Sequence, residues 1–274
     1  MREIINEIEK VIKGKEFQIK LILSAFFSKN HVLLTDIPGV GKTTLAKTIA
    51  KVLGFDFNRI QFTSDMLPSD ILGVNYFNGK EFVFKKGPIF SEIILADEIN
   101  RASPKTQSAL LEAMQERQVS IDGKKYALSE YFFVIATQNP DEIGTYELPL
   151  SELDRFAISL SVGYPNREAE KLILKRSEIP PLTSYRQKSI ELFERFKNIY
   201  VDEKIYDLIL DVADIARSRG VFSTRAVISL LDVAKGWALV HERDYVIDDD
   251  VFSVLEYVLK HRINMDFDEF KTLF

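Results

Sequence analysis

Short runs of apolar residues recur between positions 31 and 162, and each run is bounded by polar residues. Helical patterns separate several of these runs, among them KTTLAKTIAKVLG after the first and SPKTQSALLEAMQER after the third. The alternation of strand and helix predicts a mainly parallel sheet that is covered by helices on both faces. The five predicted strands are HVLLT (31–35), FNRIQF (57–62), EIILAD (92–97), YFFVIAT (131–137) and AISLSV (157–162).

Two further segments have the pattern of β-hairpins. VNYF-NG-KEFVF (74–84) and VSI-DG-KKYAL (119–128) each place an Asn-Gly or Asp-Gly pair between strand-forming residues. These dipeptides favour the tight turns that join antiparallel strands. We therefore predict two hairpins that are insertions, additional to the strands of the sheet.

Helical periodicity continues to the end of the chain after YPNRE (164–168) and the break at Pro180-Pro181. A chain of 274 residues is long enough for an α/β domain followed by a smaller helical domain. We therefore predict an α/β core at residues 1–184 and an all-α domain at residues 185–274. The helices predicted in the second domain cover residues 187–199, 202–218, 224–241 and 248–262.

Composition narrows the class of protein. Hydrophobic residues make up 46% and charged residues 28%, as in a globular protein with a packed core. The net charge of −5 does not favour binding to nucleic acid, so DNA is not the expected partner. The absence of cysteine excludes disulfides and thiolate metal sites, and three scattered histidines do not make a histidine-rich metal site. The sequence contains neither a signal-peptide pattern nor an apolar run of about 18 residues, so we expect a cytoplasmic protein.

The segment HVLLTDIPGVGKTTLAKTIA carries the strongest chemical signal, because an apolar strand leads into a glycine-containing loop and then a helix. Glycines allow backbone amides to converge on phosphate groups, and the helix N-terminus adds partial positive charge. Lys42 can reach the β- and γ-phosphates of a nucleotide, and the Thr43 hydroxyl can ligate Mg²⁺. The predicted nucleotide-binding residues of this P-loop are Asp36, Ile37, Pro38, Gly39, Val40, Gly41, Lys42, Thr43 and Thr44.

One position departs from the P-loop pattern G-x-x-x-x-G-K-T. Asp36 stands where the pattern has its first glycine. That position opens the turn and is not the one closest to the phosphates. We expect an altered loop geometry with nucleotide binding retained.

The segment SEIILADEIN (91–100) is an apolar strand that ends in Asp97-Glu98. Adjacent strand residues point to opposite sides, so the two carboxylates can have different roles. Asp97 can hold the Mg²⁺ shell, and Glu98 can polarise the water that attacks the γ-phosphate. An acidic pair alone is commonly a solvated strand end, but here it follows a P-loop and terminates a buried strand.

Other residues are candidates for supporting roles. Asn139, in the TQNP segment after the fourth strand, can orient the attacking water or can simply belong to an Asn-Pro turn. Arg155, before the fifth strand, can stabilise transition-state charge in a neighbouring subunit or form a surface ion pair. Arg225, on the first turn of a C-terminal helix, can sense phosphate if that domain folds over the nucleotide, or can simply be exposed. Residues 11–14 can line an adenine pocket or end an amphipathic helix.

The order of these segments resembles the MoxR family of AAA+ ATPases, and the resemblance covers nearly the whole chain. It rests on IPGVGKTTLAK, GPIFSEIILADEINRASPKTQSALLEAMQE, VIATQNPDEIGTYELPLSELDRF and VGYPNREAE. The stretch AKGWALVHERDYVIDDDVFSVLEYVLKHRI is similar to the family's helical lid. The fold that the resemblance implies is an α/β P-loop AAA+ (ASCE) core with five strands, followed by an all-α lid domain.

The resemblance also implies a hexameric ring with ATP and Mg²⁺ between subunits, and chaperone-like remodelling or maturation of protein complexes. The implied client is a protein, often with a von Willebrand factor A domain protein as partner. By position, the ATP and Mg²⁺ residues would be Lys42, Thr43, Asp97, Glu98 and Asn139, with Arg155 as arginine finger and Arg225 as lid sensor. Because the lid is displaced in part of the broader clade, Arg225 can act on its own nucleotide or on a neighbour's. The two hairpins match inserts that face the pore or an axial surface of the ring.

Three other functions share some of these motifs. A P-loop GTPase would need an Asn-Lys-x-Asp signature after the core, and TQNP stands there instead. A DNA-remodelling AAA+ protein shares every catalytic motif, although the acidic composition disfavours it. A nucleotide-gated scaffold would bind ATP with little turnover, which Glu98 and Arg155 disfavour.

Overall fold

The computed structural model describes residues 1–37, 39–139, 144–175 and 180–263. Its strands are β1 (Val32–Thr35), β2 (Phe57–Gln61), β3 (Gly73–Phe77), β4 (Phe82–Lys86), β5 (Ile93–Asp97), β6 (Gln118–Ile121), β7 (Lys124–Ala127), β8 (Phe133–Gln138) and β9 (Ile158–Leu160). Five of them form a parallel sheet in the order β2-β5-β8-β1-β9. The five strands predicted for the sheet are confirmed, with ends that agree to within two residues.

The sheet brings the carboxyl ends of its central strands to one edge. Strand β1 lies between β8 and β9, and Thr35 is level with Gln138 of β8. Strands β1, β5 and β8 are buried along almost their whole length, which explains why each reads as a continuous apolar run. Ligands of open parallel sheets bind at this carboxyl edge.

The helices are α1 (Arg2–Glu9), α2 (Glu16–Phe27), α3 (Lys42–Leu53), α4 (Pro68–Leu72), α5 (Pro104–Glu116), α6 (Leu150–Leu153), α7 (Arg167–Leu174), α8 (Arg186–Lys197), α9 (Glu203–Arg219), α10 (Thr224–Val240) and α11 (Asp248–Leu259). The four helices predicted for the C-terminal region correspond to α8 to α11. Among the residues that the structure describes, no helix is both long enough and apolar enough to cross a membrane.

Apolar layers cover both faces of the sheet. Along β5, Ile93 and Leu95 join one layer, whereas Ile94 and Ala96 join the other, as expected for successive strand residues. The first layer continues into the C-terminal helices. The all-α region is therefore docked on the core through a shared apolar layer, while the boundary between residues 184 and 185 stays a prediction.

Helix α10 packs closely against α2. A Cβ atom on Gly236 would lie 2.2 Å from the carbonyl oxygen of Ser24, so only glycine allows this approach. The ring of Phe17 at the start of α2 meets Trp237 edge-on at 5.2 Å. The helical domain is thereby fixed to an N-terminal helix of the core.

Both predicted hairpins are confirmed. Strands β3 and β4 pair antiparallel, as do β6 and β7, and neither pair joins the five-stranded sheet. The hairpins contact each other. The ring of Phe84 stacks on that of Tyr126 at 4.1 Å between centroids, and the side-chain amide of Asn75 donates to the Asp122 carboxylate at 2.7 Å. They form one unit outside the sheet.

Candidate nucleotide site

Two glycines in the loop between β1 and α3 have backbone conformations that suit a phosphate-binding loop. Gly39 and Gly41 both adopt positive φ angles, 85° and 91°, which other residues rarely adopt. Gly41 is the N-cap of α3 and has no side chain to bond the first amides of the helix. The helix N-terminus is therefore suited to an anion. The predicted residue Pro38 lies outside the described residues.

The Lys42 side chain folds back over this loop. Its ammonium donates to the carbonyl oxygens of Asp36 at 2.8 Å and Ile37 at 3.2 Å. The charge is thus held above the loop on which phosphates would lie. Thr43 is the second residue of α3, so it lies next to the amides at the N-terminus of that helix.

Asp36 has a structural role that its position in the motif does not reveal. Its carboxylate is buried and accepts hydrogen bonds from the Ser161 hydroxyl at 2.6 Å, the Val162 amide at 2.5 Å and the Gly163 amide at 3.2 Å. The P-loop is thereby tied to the segment that follows β9. A glycine at this position could not make these contacts, and the altered loop geometry stays a prediction.

A cavity of about 310 Å³ lies beside the P-loop. The residues that line it are mainly apolar and include Val11, Ile12, Thr44, Leu45, Val162 and Leu172. Residues 11 and 12 therefore line a cavity next to the phosphate loop, which agrees with the interpretation of this segment as part of an adenine pocket. An apolar cleft of this kind suits the flat base of a nucleotide.

Asp97 and Glu98 lie at the carboxyl end of β5, and protein donors hold both side chains. Asp97 is buried, accepts from Arg59 at 2.7 and 2.9 Å, and accepts from the Thr137 hydroxyl at 2.6 Å. The Glu98 carboxylate accepts from the Gln61 amide at 2.6 Å and pairs with Arg101 at 3.1 Å.

The backbone at Glu98 is in a left-handed conformation, with φ 57°. This region costs energy for a residue other than glycine, so surrounding contacts must hold it. One such contact is the bond from the Glu98 amide to the Thr137 hydroxyl at 2.9 Å. Thr137 therefore links the ends of β5 and β8.

Sequence reasoning did not identify Arg59, Gln61 and Thr137. Arg59 and Gln61 alternate with apolar residues on β2, so they share one face of the strand. That alternation was the available signal, but the sequence does not show that β2 is the neighbour of β5. The parallel register, which places Gln61 level with Asp97, explains the contacts.

Comparisons with known proteins agree with this geometry. Residues 31–158 match the ATPase family associated with various cellular activities (AAA), and residues 210–272 match an AAA lid domain. The chain is 45% identical to the uncharacterized protein YeaC of Bacillus subtilis (strain 168), over 94% of this chain and 85% of that protein. It is 39% identical to the chaperone MoxR1 of Mycobacterium tuberculosis, over 96% of this chain and 75% of that protein.

A solved structure is also similar to the chain. It is that of a candidate ATPase from Cytophaga hutchinsonii, with a TM-score of 0.88 and 35% identity, over 99% of this chain and 89% of that protein. The chain belongs to the MoxR family of AAA+ ATPases. The predicted family, the P-loop AAA+ fold and ATPase activity are thereby confirmed.

In this MoxR ATPase, Asn139 lies at the same edge of the sheet as the P-loop. The Asp36 amide donates to the carbonyl oxygen of Gln138 at 3.2 Å. Asn139, the next residue in the chain, therefore lies beside the start of the P-loop. The carbonyl oxygen of Asn139 accepts from Asn100 at 3.1 Å. The fold brings Lys42, Asp97, Glu98 and Asn139 to one edge.

Arg155 lies at the opposite edge. It precedes β9, whose first residues are level with the start of β1, because the Ala157 amide donates to the carbonyl oxygen of His31 at 2.9 Å. The Arg155 guanidinium donates to the carbonyl oxygen of Leu111 at 2.8 Å. The four residues of β1, at about 3.3 Å each, lie between the level of Arg155 and the P-loop of the same chain, a distance of about 13 Å along the strand.

Arg225 lies beside Arg155 and not beside the P-loop. Its guanidinium is 3.5 Å from the carboxylate of Asp154 and 3.4 Å from the side-chain oxygen of Gln115. The C-terminal domain packs on α2 and does not bring Arg225 over its own nucleotide cavity. Of the two sites that the resemblance left open for Arg225, this arrangement favours that of a neighbouring subunit.

Proposed function

We propose that this MoxR ATPase works as a hexameric ring that binds ATP between subunits and couples its hydrolysis to remodelling of a protein client. The observation that best supports this proposal is the separation of Arg155 and Arg225 from the P-loop of their own chain. An arginine that stabilises transition-state charge must reach the γ-phosphate. A head-to-tail ring satisfies that requirement, because it brings the Arg155 edge of one subunit to the P-loop edge of the next.

In the proposed reaction, Lys42 and the amides at the start of α3 hold the β- and γ-phosphates of ATP. The Thr43 hydroxyl and the Asp97 carboxylate would hold Mg²⁺, which neutralises phosphate charge when bound. These groups fit the ion, since both are oxygen donors and Mg²⁺ bound to phosphates needs only one or two protein ligands. Glu98 polarises the attacking water, and Asn139 orients it.

The contacts of Arg59 and Gln61 bear on this chemistry. Arg59 donates a hydrogen bond to Asp97, and Gln61 donates one to Glu98. Each of them thus engages a carboxylate that the reaction requires. We therefore expect Arg59 and Gln61 to change partners when nucleotide binds. Their release would make the acidic pair available only in the loaded site.

The proposed client-binding region is the hairpin surface, formed by residues 74–86 and 118–127. Phe77 and Phe82 pair across the first hairpin at 5.5 Å, and they are 58% and 75% exposed. The surface carries five lysines and two acidic residues, a net charge of +3, whereas the chain as a whole carries −5. Exposed aromatic rings beside positive charge suit an acidic, partly apolar protein segment. A von Willebrand factor A domain partner and a cytoplasmic location stay proposals that rest on the family and the sequence.

Mixing two inactive variants tests the ring mechanism. In an Arg155→Ala subunit the acidic pair is intact, whereas a Glu98→Gln subunit retains its arginine finger. Where Arg155 of a Glu98→Gln subunit reaches the nucleotide bound by an Arg155→Ala subunit, one complete site is rebuilt. Random equal mixing should therefore restore about a quarter of the sites. If subunits exchange and no ATPase activity returns at any ratio, Arg155 does not act on a neighbouring subunit.

A further inference from the structure

A buried arginine from the C-terminal domain holds the segment that carries Arg155. Arg262, three residues beyond α11, has a side chain that is 2% exposed. Its guanidinium donates to the Asp154 carboxylate at 2.8 Å and to the carbonyl oxygens of Asp154 at 3.2 Å, Phe156 at 2.7 Å and Ala157 at 2.9 Å. These acceptors lie on both sides of Arg155 in the chain.

Asp154 connects this arginine to a second part of the same domain. Its other carboxylate oxygen accepts from the Ser223 hydroxyl at 2.7 Å and lies 3.5 Å from Arg225. Ser223 is also the N-cap of α10, where its hydroxyl accepts from the Ala226 amide at 3.0 Å. The Asp154 carboxylate, immediately before Arg155, thus joins the start of α10 to the segment that follows α11.

The chemistry of Arg262 suits a positioning role. Burial lowers the pKa of its guanidinium, and the Asp154 carboxylate opposes that effect. Only a planar group with several fixed donors can hold these three carbonyl oxygens and a carboxylate together, and lysine cannot reproduce this arrangement. An apolar side chain of similar size would fill the space without fixing the direction of the segment.

We propose that Arg262 is a positioning residue for Arg155, so that the C-terminal domain of one subunit sets the direction of the arginine finger toward the next subunit's ATP. This inference rests on the proposed ring mechanism. It assigns a function to the close docking of the domain on the core, because a change in that docking would move Arg155 at the neighbouring site.

The test compares Arg262→Met and Arg262→Lys with the wild-type ring. Both variants should lower kcat by about 10- to 100-fold, the effect of misplacing a catalytic group by about 1 Å. The affinity of each subunit for ATP should stay within about twofold, because Arg262 does not line the nucleotide cavity. The Arg155→Ala/Arg262→Met double variant should be no slower than Arg155→Ala alone, since both changes remove one function. A wild-type kcat in both single variants would overturn the inference.

Mixed rings separate positioning from damage to the subunit's own site. An Arg262→Met subunit has an intact P-loop and Glu98, so a Glu98→Gln neighbour should supply a correctly held Arg155 and restore about a quarter of the sites. If Arg155→Ala is rescued in this way and neither Arg262 variant is, the inference is wrong and the ring mechanism stands. If Arg155→Ala is not rescued, both fail.

A matched control comes from another partly buried pair in the same domain. Arg243 donates to Asp250 at 2.7 Å, and in the part of the chain that the structure describes neither side chain hydrogen-bonds to residues 154–157. Arg243→Met should lower thermal stability while kcat per assembled ring stays near that of the wild type. Arg262→Lys keeps the buried charge, and it serves as the test variant if Arg262→Met does not fold.

Discussion

The Ser161 hydroxyl donates a 2.6 Å hydrogen bond to the buried carboxylate of Asp36, which joins the start of the P-loop to the end of β9. The Val162 amide donates to the same carboxylate at 2.5 Å, and Val162 also lines the nucleotide cavity. Asp36 therefore connects the phosphate loop to a wall of the cavity. The glycine of the usual motif could not provide this link.

We predict that Asp36→Gly, which restores the usual P-loop pattern, weakens both stability and nucleotide binding. The change leaves a hydroxyl and two amides without their acceptor, which costs about 1–3 kcal/mol for each group that stays buried. Urea unfolding and nucleotide titration measure the two effects. Asp36→Asn is the matched control, because its side-chain oxygen can still accept and should retain part of both. Asp36→Gly with unchanged stability and affinity would show that these bonds do not matter.

The contacts of Asp36 show where prediction from the sequence ends. Strands, hairpins and the P-loop could be predicted, because each depends on residues that are close together in the chain. Ser161 lies 125 positions from Asp36, and no local pattern relates them. The same holds for Arg59 and Asp97, whose contact depends on the order of strands in the sheet.

The place of Arg225 could not be predicted for a related reason. A helix N-terminal arginine has the same sequence pattern whether its domain covers the nucleotide or packs elsewhere. Here the direction of α10 is set by its close approach to α2 at Gly236, a contact between distant parts of the chain. Helix periodicity predicts the element and does not predict the surface on which it docks.

Variants of Lys42 and Glu98 should separate nucleotide binding from hydrolysis. Lys42→Ala should abolish ATP binding and leave the fold intact, since the ammonium contributes charge and its hydrogen bonds are to only two carbonyl oxygens of the loop. Glu98→Gln should keep ATP binding and slow hydrolysis by about 10²- to 10⁴-fold, the usual contribution of a general base. Equilibrium binding and turnover assays on both variants measure this. Near wild-type turnover in Glu98→Gln would mean that another group activates the water.

His31 should make the protein less stable at mildly acidic pH. Burial, with a smaller effect of Arg117, lowers the pKa of the imidazole from 6.5 to about 3, and its Nδ1 accepts from the Val134 amide at 3.0 Å. In the unfolded chain the pKa returns to about 6.5. Because the folded pKa is the lower one, protonation favours unfolding. The stabilisation is complete above pH 6.5 and is lost as the pH falls toward 3, with about 2 kcal/mol lost by pH 5.

His31→Asn isolates this effect, because an asparagine oxygen can accept from the Val134 amide and does not titrate. We expect the free energy of unfolding to fall less steeply between pH 6.5 and pH 5 in the variant than in the wild type. Urea unfolding at several pH values gives both slopes. Equal slopes would mean that His31 is protonated in the folded protein or that its environment differs from the one described.

The last prediction concerns the hairpin surface. It distinguishes aromatic side chains that stabilise the fold from aromatic side chains that are available to a partner. Phe77 and Phe82 are exposed, whereas Phe84 stacks on Tyr126 at 4.1 Å and meets Phe90 edge-on at 5.7 Å. The double variant Phe77→Ser/Phe82→Ser should therefore keep the thermal stability and basal ATPase rate of the wild type. The control Phe84→Ser should lower stability, since it removes contacts between the two hairpins.

Binding is measured with a fluorescently labelled, unfolded acidic polypeptide as the probe. We expect Phe77→Ser/Phe82→Ser to weaken its binding at least tenfold, because the two rings are the main exposed apolar groups beside the lysines. Binding that falls with salt but does not change in this variant would assign the interaction to charge alone. Preferential binding of single-stranded DNA over the polypeptide would contradict a protein client, since aromatic rings beside lysines can also stack on bases. Loss of folding in Phe77→Ser/Phe82→Ser would show that these side chains support the hairpin, which leaves them no free surface to present to a client.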